Sequence, residues 1–239
     1  MKEDRTGKRF RDGLRSLRIN LADEAAAVDR LLCYFNELKK WNRKINLVSR
    51  EAGDAELIDR HFLDSLLLLH CLDRHPETAL PDTNYLLDIG TGAGFPGLAL
   101  KVAVPALAVT LVEPREKRCF FLKHVIRTIG LAGVEVITIR LAKDSPHPLL
   151  AGRRFSWATS RAVTDIGSIL AMAAPYMKED GRIVCMKGPT GREELAREMA
   201  EGPAAAVSLL ETKEYRLPFS GAQRTLFVLG NKRLCLTGS

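Results

Sequence analysis

Apolar and polar positions alternate with two different rhythms along this chain. From Asp23 onward, apolar residues recur every three or four positions: Val28, Leu31, Leu32, Phe35 and Leu38 share one helical face, and Asp23 stands where it would cap the first turn. A second helix is predicted from about Asp54, carrying Leu57, Ile58, Phe62, Leu66 and Leu69. Together they form a small helical unit over residues 21–80, left through a connection marked by Pro76 and Pro81. Residues 1–20 are dominated by charge, with Lys2, Arg5, Lys8, Arg9, Arg11, Arg15 and Arg18 against Glu3, Asp4 and Asp12. They are expected to be a disordered, solvated basic extension; an RNA-binding arm is the alternative.

After Pro81 short apolar runs alternate with amphipathic segments. Strands are predicted at Tyr85–Ile89, Val109–Val112, Val134–Arg140, Phe155–Ser160 and Arg182–Lys187. Helices are predicted at Pro96–Val102, Arg115–Ile129, Asp165–Met177 and Arg192–Ala200. Two late strands, about Ala205–Thr212 and Thr225–Gly230, have no clear helix between them. This order implies right-handed βαβ units and a mostly parallel sheet covered on both faces, with an antiparallel hairpin at its edge. Residues 81–239 are thus expected to form one α/β domain.

The segment with the strongest chemical content is Leu86-Leu87-Asp88-Ile89-Gly90-Thr91-Gly92-Ala93-Gly94-Phe95-Pro96-Gly97. An apolar strand ends near an acid, glycines follow at alternate positions, and a proline stands where a helix begins. Glycine permits positive φ and lets the backbone approach a ligand, and ligands of open α/β sheets bind at the carboxyl ends of strands. Gly92, Gly94 and Gly97 spell the dinucleotide pattern, in which a pyrophosphate rests on the helix N-terminus. Taken from Gly90, the loop is G-x-G-x-G preceded by Asp88, which suits a cofactor without phosphate whose cationic amino-acid end meets a carboxylate. The dinucleotide register starts three residues past the strand and fits worse, so S-adenosylmethionine is the expected ligand, held by Asp88, Gly90, Gly92 and Gly94. Glu113, at the end of the next strand and about 20 residues beyond the loop, is positioned to bind ribose hydroxyls. That device is shared with nicotinamide enzymes and does not separate the two cofactors.

Composition narrows the partner. The net charge of +7 points toward a polyanion, although a merely solvated basic surface has the same charge. Five scattered cysteines form no C-x-x-C pair, the histidines suggest no metal cluster, and no apolar run approaches the ~20 residues that would span a bilayer. A cytoplasmic protein with reduced thiols, no metal and no membrane association is expected.

These residues resemble a known family, the bacterial 16S ribosomal RNA 7-methylguanosine methyltransferases called RsmG or GidB. The resemblance runs from about Leu31 to Asn231. Its landmarks are Trp41-Asn42-Arg43-Lys44-Ile45-Asn46-Leu47-Val48-Ser49, His61-Phe62-Leu63-Asp64-Ser65-Leu66, the glycine loop, Ser160-Arg161-Ala162, Lys187-Gly188, and Gly221-x-x-Arg224-x-Leu226-x-Val228. It implies a class I S-adenosylmethionine-dependent methyltransferase: a Rossmann-like, seven-stranded, mostly parallel sheet with an antiparallel edge hairpin and a small N-terminal helical unit. It further implies that Gly90 and Phe95 contact the methyl donor, that Glu113, Pro114 and Arg115 surround its ribose and adenine, that Leu141 and Ala142 lie at the adenine edge, and that Arg161 is close to the cofactor. Ala142 departs from relatives, which often carry an acid there, so backbone groups are expected to recognise adenine instead. The implied substrate is the 16S RNA of the small ribosomal subunit, met by a monomeric enzyme.

Guanine N7 keeps a lone pair at neutral pH, so its methylation needs positioning and desolvation and no general base. Arg161 is the candidate positioning residue for catalysis. His61 and Asp64, three residues apart on one helix, read either as a catalytic pair or as a structural tie between the helices and the sheet. Arg140, Lys187 and Arg224, near predicted strand ends, are the candidate RNA-binding cations, together with Arg161. The charged face of the helix after Glu113 reads as solvated. A nicotinamide-dependent oxidoreductase and a non-catalytic RNA- or ribosome-binding protein are the competing functions.

Overall fold

The computed structural model describes residues 5–72, 85–143, 145–161, 165–201 and 207–231. The predicted connection at Pro76 and Pro81 lies outside them. Seven strands form one sheet in the order β3-β2-β1-β4-β5-β7-β6. They are β1 (Leu86–Ile89), β2 (Val109–Val112), β3 (Val134–Ile137), β4 (Phe155–Ser160), β5 (Met177–Lys187), β6 (Val207–Arg216) and β7 (Gln223–Asn231). The first five pair in parallel; β7 pairs antiparallel with both β5 and β6. The late hairpin is therefore present, but its second strand is inserted inside its first, so β6 forms the edge. The strand predicted to Arg140 stops at Ile137, and the one predicted from Arg182 begins at Met177.

Strands β1 and β2 are buried at every position, which is why they read as unbroken apolar runs and not as alternation. Alternate residues serve two cores. Leu86, Leu111 and Val184 face a core built with the N-terminal helices, α6 (Gly97–Ala103) and α7 (Glu116–Ile129). Leu87, Ile89 and Ile183 face the other, covered by α8 (Ile166–Ala173) and α9 (Gly191–Glu201).

The N-terminal helices are a layer of the first core and have no separate centre. α2 (Glu24–Asn42) is capped as predicted, Asp23 accepting a hydrogen bond from the Ala26 amide at 3.0 Å. The predicted helix from Asp54 is interrupted: α3 (Asp54–Leu57) runs into a π-helical turn, Ile58–Leu63, before α4 (Asp64–Leu66) and α5 (Leu69–Leu72). Phe62 in that turn is fully buried and packs edge-on against Phe10 at 5.4 Å, Tyr34 at 5.0 Å and Phe95 at 5.0 Å. One ring thus joins the helical layer to the glycine loop.

The expectation of a disordered basic extension is corrected for Arg5–Ser16, which form helix α1. Gly7, Phe10, Gly13 and Leu14 make its buried stripe, three to four residues apart between the charges. A Cβ on Gly13 would drive into Leu63, so close packing on the π-turn requires glycine there. The charges occupy the other side of an amphipathic helix.

Replacing Phe62 with alanine is expected to destabilise the protein by about 3–5 kcal/mol, the usual range for a buried phenylalanine. Denaturant unfolding checks this, and a loss far below that range would remove Phe62 as the joint between layers.

Candidate functional site

β1 lies between β2 and β4, and the chain leaves β1 to build the sheet first on one side and then on the other. A crevice opens at the carboxyl ends of strands at such a switch point. The glycine loop occupies it, with Gly90, Gly92 and Gly94 at φ of 70°, 62° and 99°. A side chain on Gly94 would meet Leu98 at 2.8 Å and the Tyr34 hydroxyl, so that position has neither the conformation nor the space for a Cβ.

The loop is fixed from several directions. The Gly90 and Thr91 amides donate to the Val112 carbonyl at 2.8 and 3.0 Å. Glu113, buried at the end of β2, accepts from the Gly92 amide at 2.9 Å and from the Arg115 amide at 3.0 Å. The Tyr34 hydroxyl donates to the Ala93 carbonyl, and its ring stacks on Phe95 at 5.5 Å. Asp88 accepts from the Gly97 amide at 2.8 Å. That bond weighs against the dinucleotide register: the amide that would meet a pyrophosphate at the start of α6 already faces a carboxylate, whose negative charge disfavours phosphate.

Among the described residues, three buried polar atoms near this loop have no hydrogen bond of good geometry, Asp88 Oδ1, Thr91 Oγ1 and Ser160 Oγ, although the Thr91 hydroxyl is close enough to Asp88 to lower its pKa in part. They stand at the ends of β1 and β4, neighbouring strands that converge on the crevice. Buried polar groups are almost always satisfied, so under-satisfied polar atoms gathered in one place mark a site shaped for a polar ligand. Burial also pushes the Asp88 carboxyl up to about 6, and a cationic ligand group beside it would restore its charge. This donor and acceptor set fits the amino-acid end of S-adenosylmethionine.

Arg161, just beyond β4, sends its guanidinium to the π-turn. It donates to the Arg60 carbonyl at 2.7 Å and to His61 Nδ1 at 2.6 Å, lies 3.8 Å from Asp64, and sits over the Phe95 ring at 5.1 Å. Burial, then Arg161, hold His61 down to about 3, so its ring stays neutral with Nδ1 as acceptor. Asp64 also receives Arg224 Nε at 3.0 and 3.1 Å. His61 and Asp64 are thus the structural tie of the two alternatives, joining the helical layer to β4 and β7.

The remaining candidates divide. Pro114 is half-buried and Arg115 exposed at the start of α7, beside Glu113; Leu141 is buried and Ala142 exposed after β3, and Arg140 is exposed beside them. The Phe95 ring is buried among Tyr34, His61 and Phe62, so it underpins the loop and presents little side chain to a ligand. Of the RNA-binding candidates, Lys187 is ion-paired with Glu194 at 2.8 Å and Arg224 with Asp64 at 3.0 Å. Tyr34, Thr91 and Ser160 were not singled out by sequence. Tyr34 reads as an ordinary core position of α2, while Thr91 and Ser160 lie within recognised motifs.

Comparison with known proteins agrees with this geometry. The family model described as GidB, rRNA small subunit methyltransferase G, matches residues 27–226. The chain belongs to the GidB family. It is 48% identical to the ribosomal RNA small subunit methyltransferase G of Desulfotalea psychrophila, covering 84% of this chain and 88% of that protein. With the protein of the same name from Myxococcus xanthus it shares 40% identity over 94% of this chain and 98% of the relative. Among solved structures, a mutant of MtNAS in complex with S-adenosylmethionine superposes with a TM-score of 0.53 at 18% identity, over 91% of this chain and 80% of that one. A SAM-dependent O-methyltransferase from Thermotoga maritima gives 0.52 at 15% identity, over 83% and 71%. At such identities these two show a shared fold.

The His61 environment makes stability pH-dependent. The unfolded chain takes up a proton below pH 6.5 and the folded one only near 3, so stability from this group is full at neutral pH and lost as pH falls. Between pH 7 and 5 the loss is about 2 kcal/mol. Unfolding curves at the two pH values should differ less by that amount in His61→Gln than in the wild type; equal differences would contradict the neutral, Arg161-bound ring.

Proposed function

We propose that this chain transfers a methyl group from S-adenosylmethionine to N7 of a guanosine in the 16S RNA of the small ribosomal subunit, acting in the cytoplasm. The observation that carries the cofactor half is the cluster of under-satisfied polar atoms, Asp88 Oδ1, Thr91 Oγ1 and Ser160 Oγ, beside a loop turned by three positive-φ glycines. Family membership supports the RNA half. N7 itself rests on chemistry and on the resemblance of the sequence motifs.

When bound, S-adenosylmethionine supplies a methyl group activated by a positive sulfur. The residues of this chain then have three tasks. Asp88, Thr91 and Ser160 hold the polar end of the donor, the glycine backbone and Glu113 confine its nucleoside end, and Pro114, Arg115, Leu141 and Ala142 flank the adenine. Arg161 fixes the far wall of the crevice through the π-turn and orders the approach of the acceptor. Guanine N7 carries no proton at neutral pH, so nothing has to be removed before it is methylated. The site agrees with that economy: His61 is neutral, bonded to Arg161 and unavailable as a base. Catalysis then rests on alignment and exclusion of water.

Small-subunit particles lacking the modification, incubated with the chain and labelled donor, should yield labelled 7-methylguanosine on nucleoside analysis. Label in another nucleoside would overturn the N7 assignment; binding of the donor without transfer to RNA would favour a non-catalytic RNA-binding protein. The affinity for S-adenosylmethionine is expected to fall as pH drops below about 6, where Asp88 becomes protonated; calorimetry at pH 7.5 and 5.5 tests it, and an unchanged Kd would remove Asp88 from the cationic end of the donor.

A further inference from the structure

The β6–β7 turn stands at the catalytic edge of the sheet. β6 ends at Arg216 and β7 begins at Gln223, and Thr225 pairs with Lys187 at the carboxyl end of β5. Asp59 of the π-turn anchors it, accepting from the Phe219 amide at 3.2 Å and the Ser220 amide at 2.9 Å. The next two residues of the π-turn, Arg60 and His61, are those that hold Arg161. The turn is therefore rigidly connected to the methyl-transfer crevice, yet none of its exposed atoms takes part in it.

Two features of this turn remain unexplained by the fold. Phe219 is 42% exposed, one of few large apolar side chains left open to solvent, and the guanidinium of Arg9 from α1 lies over its ring at 5.6 Å. Phe219 lines a hollow with Glu56, Asp59 and Arg60, and the strands that flank the turn line a separate polar groove of about 300 Å³ with Arg192, Glu214, Arg216, Gln223 and Arg224. Within it Arg192 is neutralised by Glu214 at 2.7 Å and Arg224 by Asp64 at 3.0 Å. Arg216 is exposed and has no ion pair among the described residues. Helix α1 also carries exposed Arg5, Lys8 and Arg15, with exposed Asp12 among them.

We propose that this turn and groove are an RNA-docking surface separate from the crevice: Arg216 binds a backbone phosphate, and the Phe219 ring, with Arg9 over it, stacks an unpaired base of the RNA being modified. An exposed aromatic ring with a guanidinium over it and Arg216 on the same turn matches what single-stranded or looped RNA offers, bases with open faces on a charged backbone. The uncompensated positive charge matches a polyanion and disfavours an acidic-poor protein surface. α1 lies outside the span of the family model, 27–226, so the family match itself says nothing of the Arg9 part of the surface. The proposal rests on RNA being the substrate.

Filter binding of small-subunit RNA to the full chain tests it over a range of salt. Arg216→Gln should weaken binding and lower the slope of log affinity against log salt by about 1, the signature of one lost phosphate contact. Phe219→Ala should raise Kd by about fivefold or more, the loss expected for one stacked base, with little change in slope. Arg154→Gln removes the same charge from the amino end of the parallel strands, where Arg154 precedes β4, and should leave the RNA affinity unchanged. All three variants should bind S-adenosylmethionine as the wild type does, which shows that the crevice is intact. RNA affinities of Arg216→Gln and Phe219→Ala equal to wild type overturn the docking surface, as does an equal loss in Arg154→Gln, which would mean net charge alone. A wild-type chain that binds RNA but transfers no methyl to it defeats the enzymatic reading while the variant comparison still judges the surface.

Discussion

The carboxylate of Asp64 is the constraint around which the catalytic edge is arranged. It is buried at the end of the π-turn, where an unpaired charge would be strongly unfavourable. Two guanidinium groups answer it, Arg224 from β7 and Arg161 from the end of β4. Even so, burial is the larger effect and raises its pKa. Removing either arginine leaves a buried charge with less compensation, which is usually more damaging than never having had the pair. The tie therefore gives position more than stability: it fixes the π-turn, and with it His61 and Phe62, against the sheet.

From that junction the order passes to the ligand site. Phe62 presses on Tyr34 and Phe95, and Tyr34 holds the glycine loop by its Ala93 carbonyl. Glu113 and Asp88 hold the same loop from β2 and β1. A loop with three positive-φ glycines loses much conformational entropy on ordering, and these hydrogen bonds supply the compensation before any ligand arrives. A preorganised cradle of this kind is what alignment-based methyl transfer requires.

Much of this was legible in the sequence. β2 and β4 are where the apolar runs placed them, and the glycine loop stands out because so few chemistries require that spacing beside an acid. What escaped has physical reasons. The charge count of residues 1–20 hid the one-sided stripe of Phe10 and Leu14, since helix amphipathicity is carried by spacing and not by composition. The π-turn cannot be seen in a 3.6-residue rhythm. Lys187 and Arg224 look free in one dimension because their partners, Glu194 and Asp64, are identified only by packing; the Asp64–Arg224 pair is separated by 160 residues. Tyr34 carries no mark that separates a core tyrosine from one holding a functional loop.

The insertion of β7 between β5 and β6 has a consequence for the order in which the chain folds. The strand that joins β5 to β6, and the arginine that meets Asp64, follow both partners in the chain, Arg224 by 160 residues. Until β7 is in place, β5 has an open side and Asp64 lacks one of its two arginines. Contacts of such long range form late and slowly, so the corner that braces the ligand crevice is set after the locally paired strands.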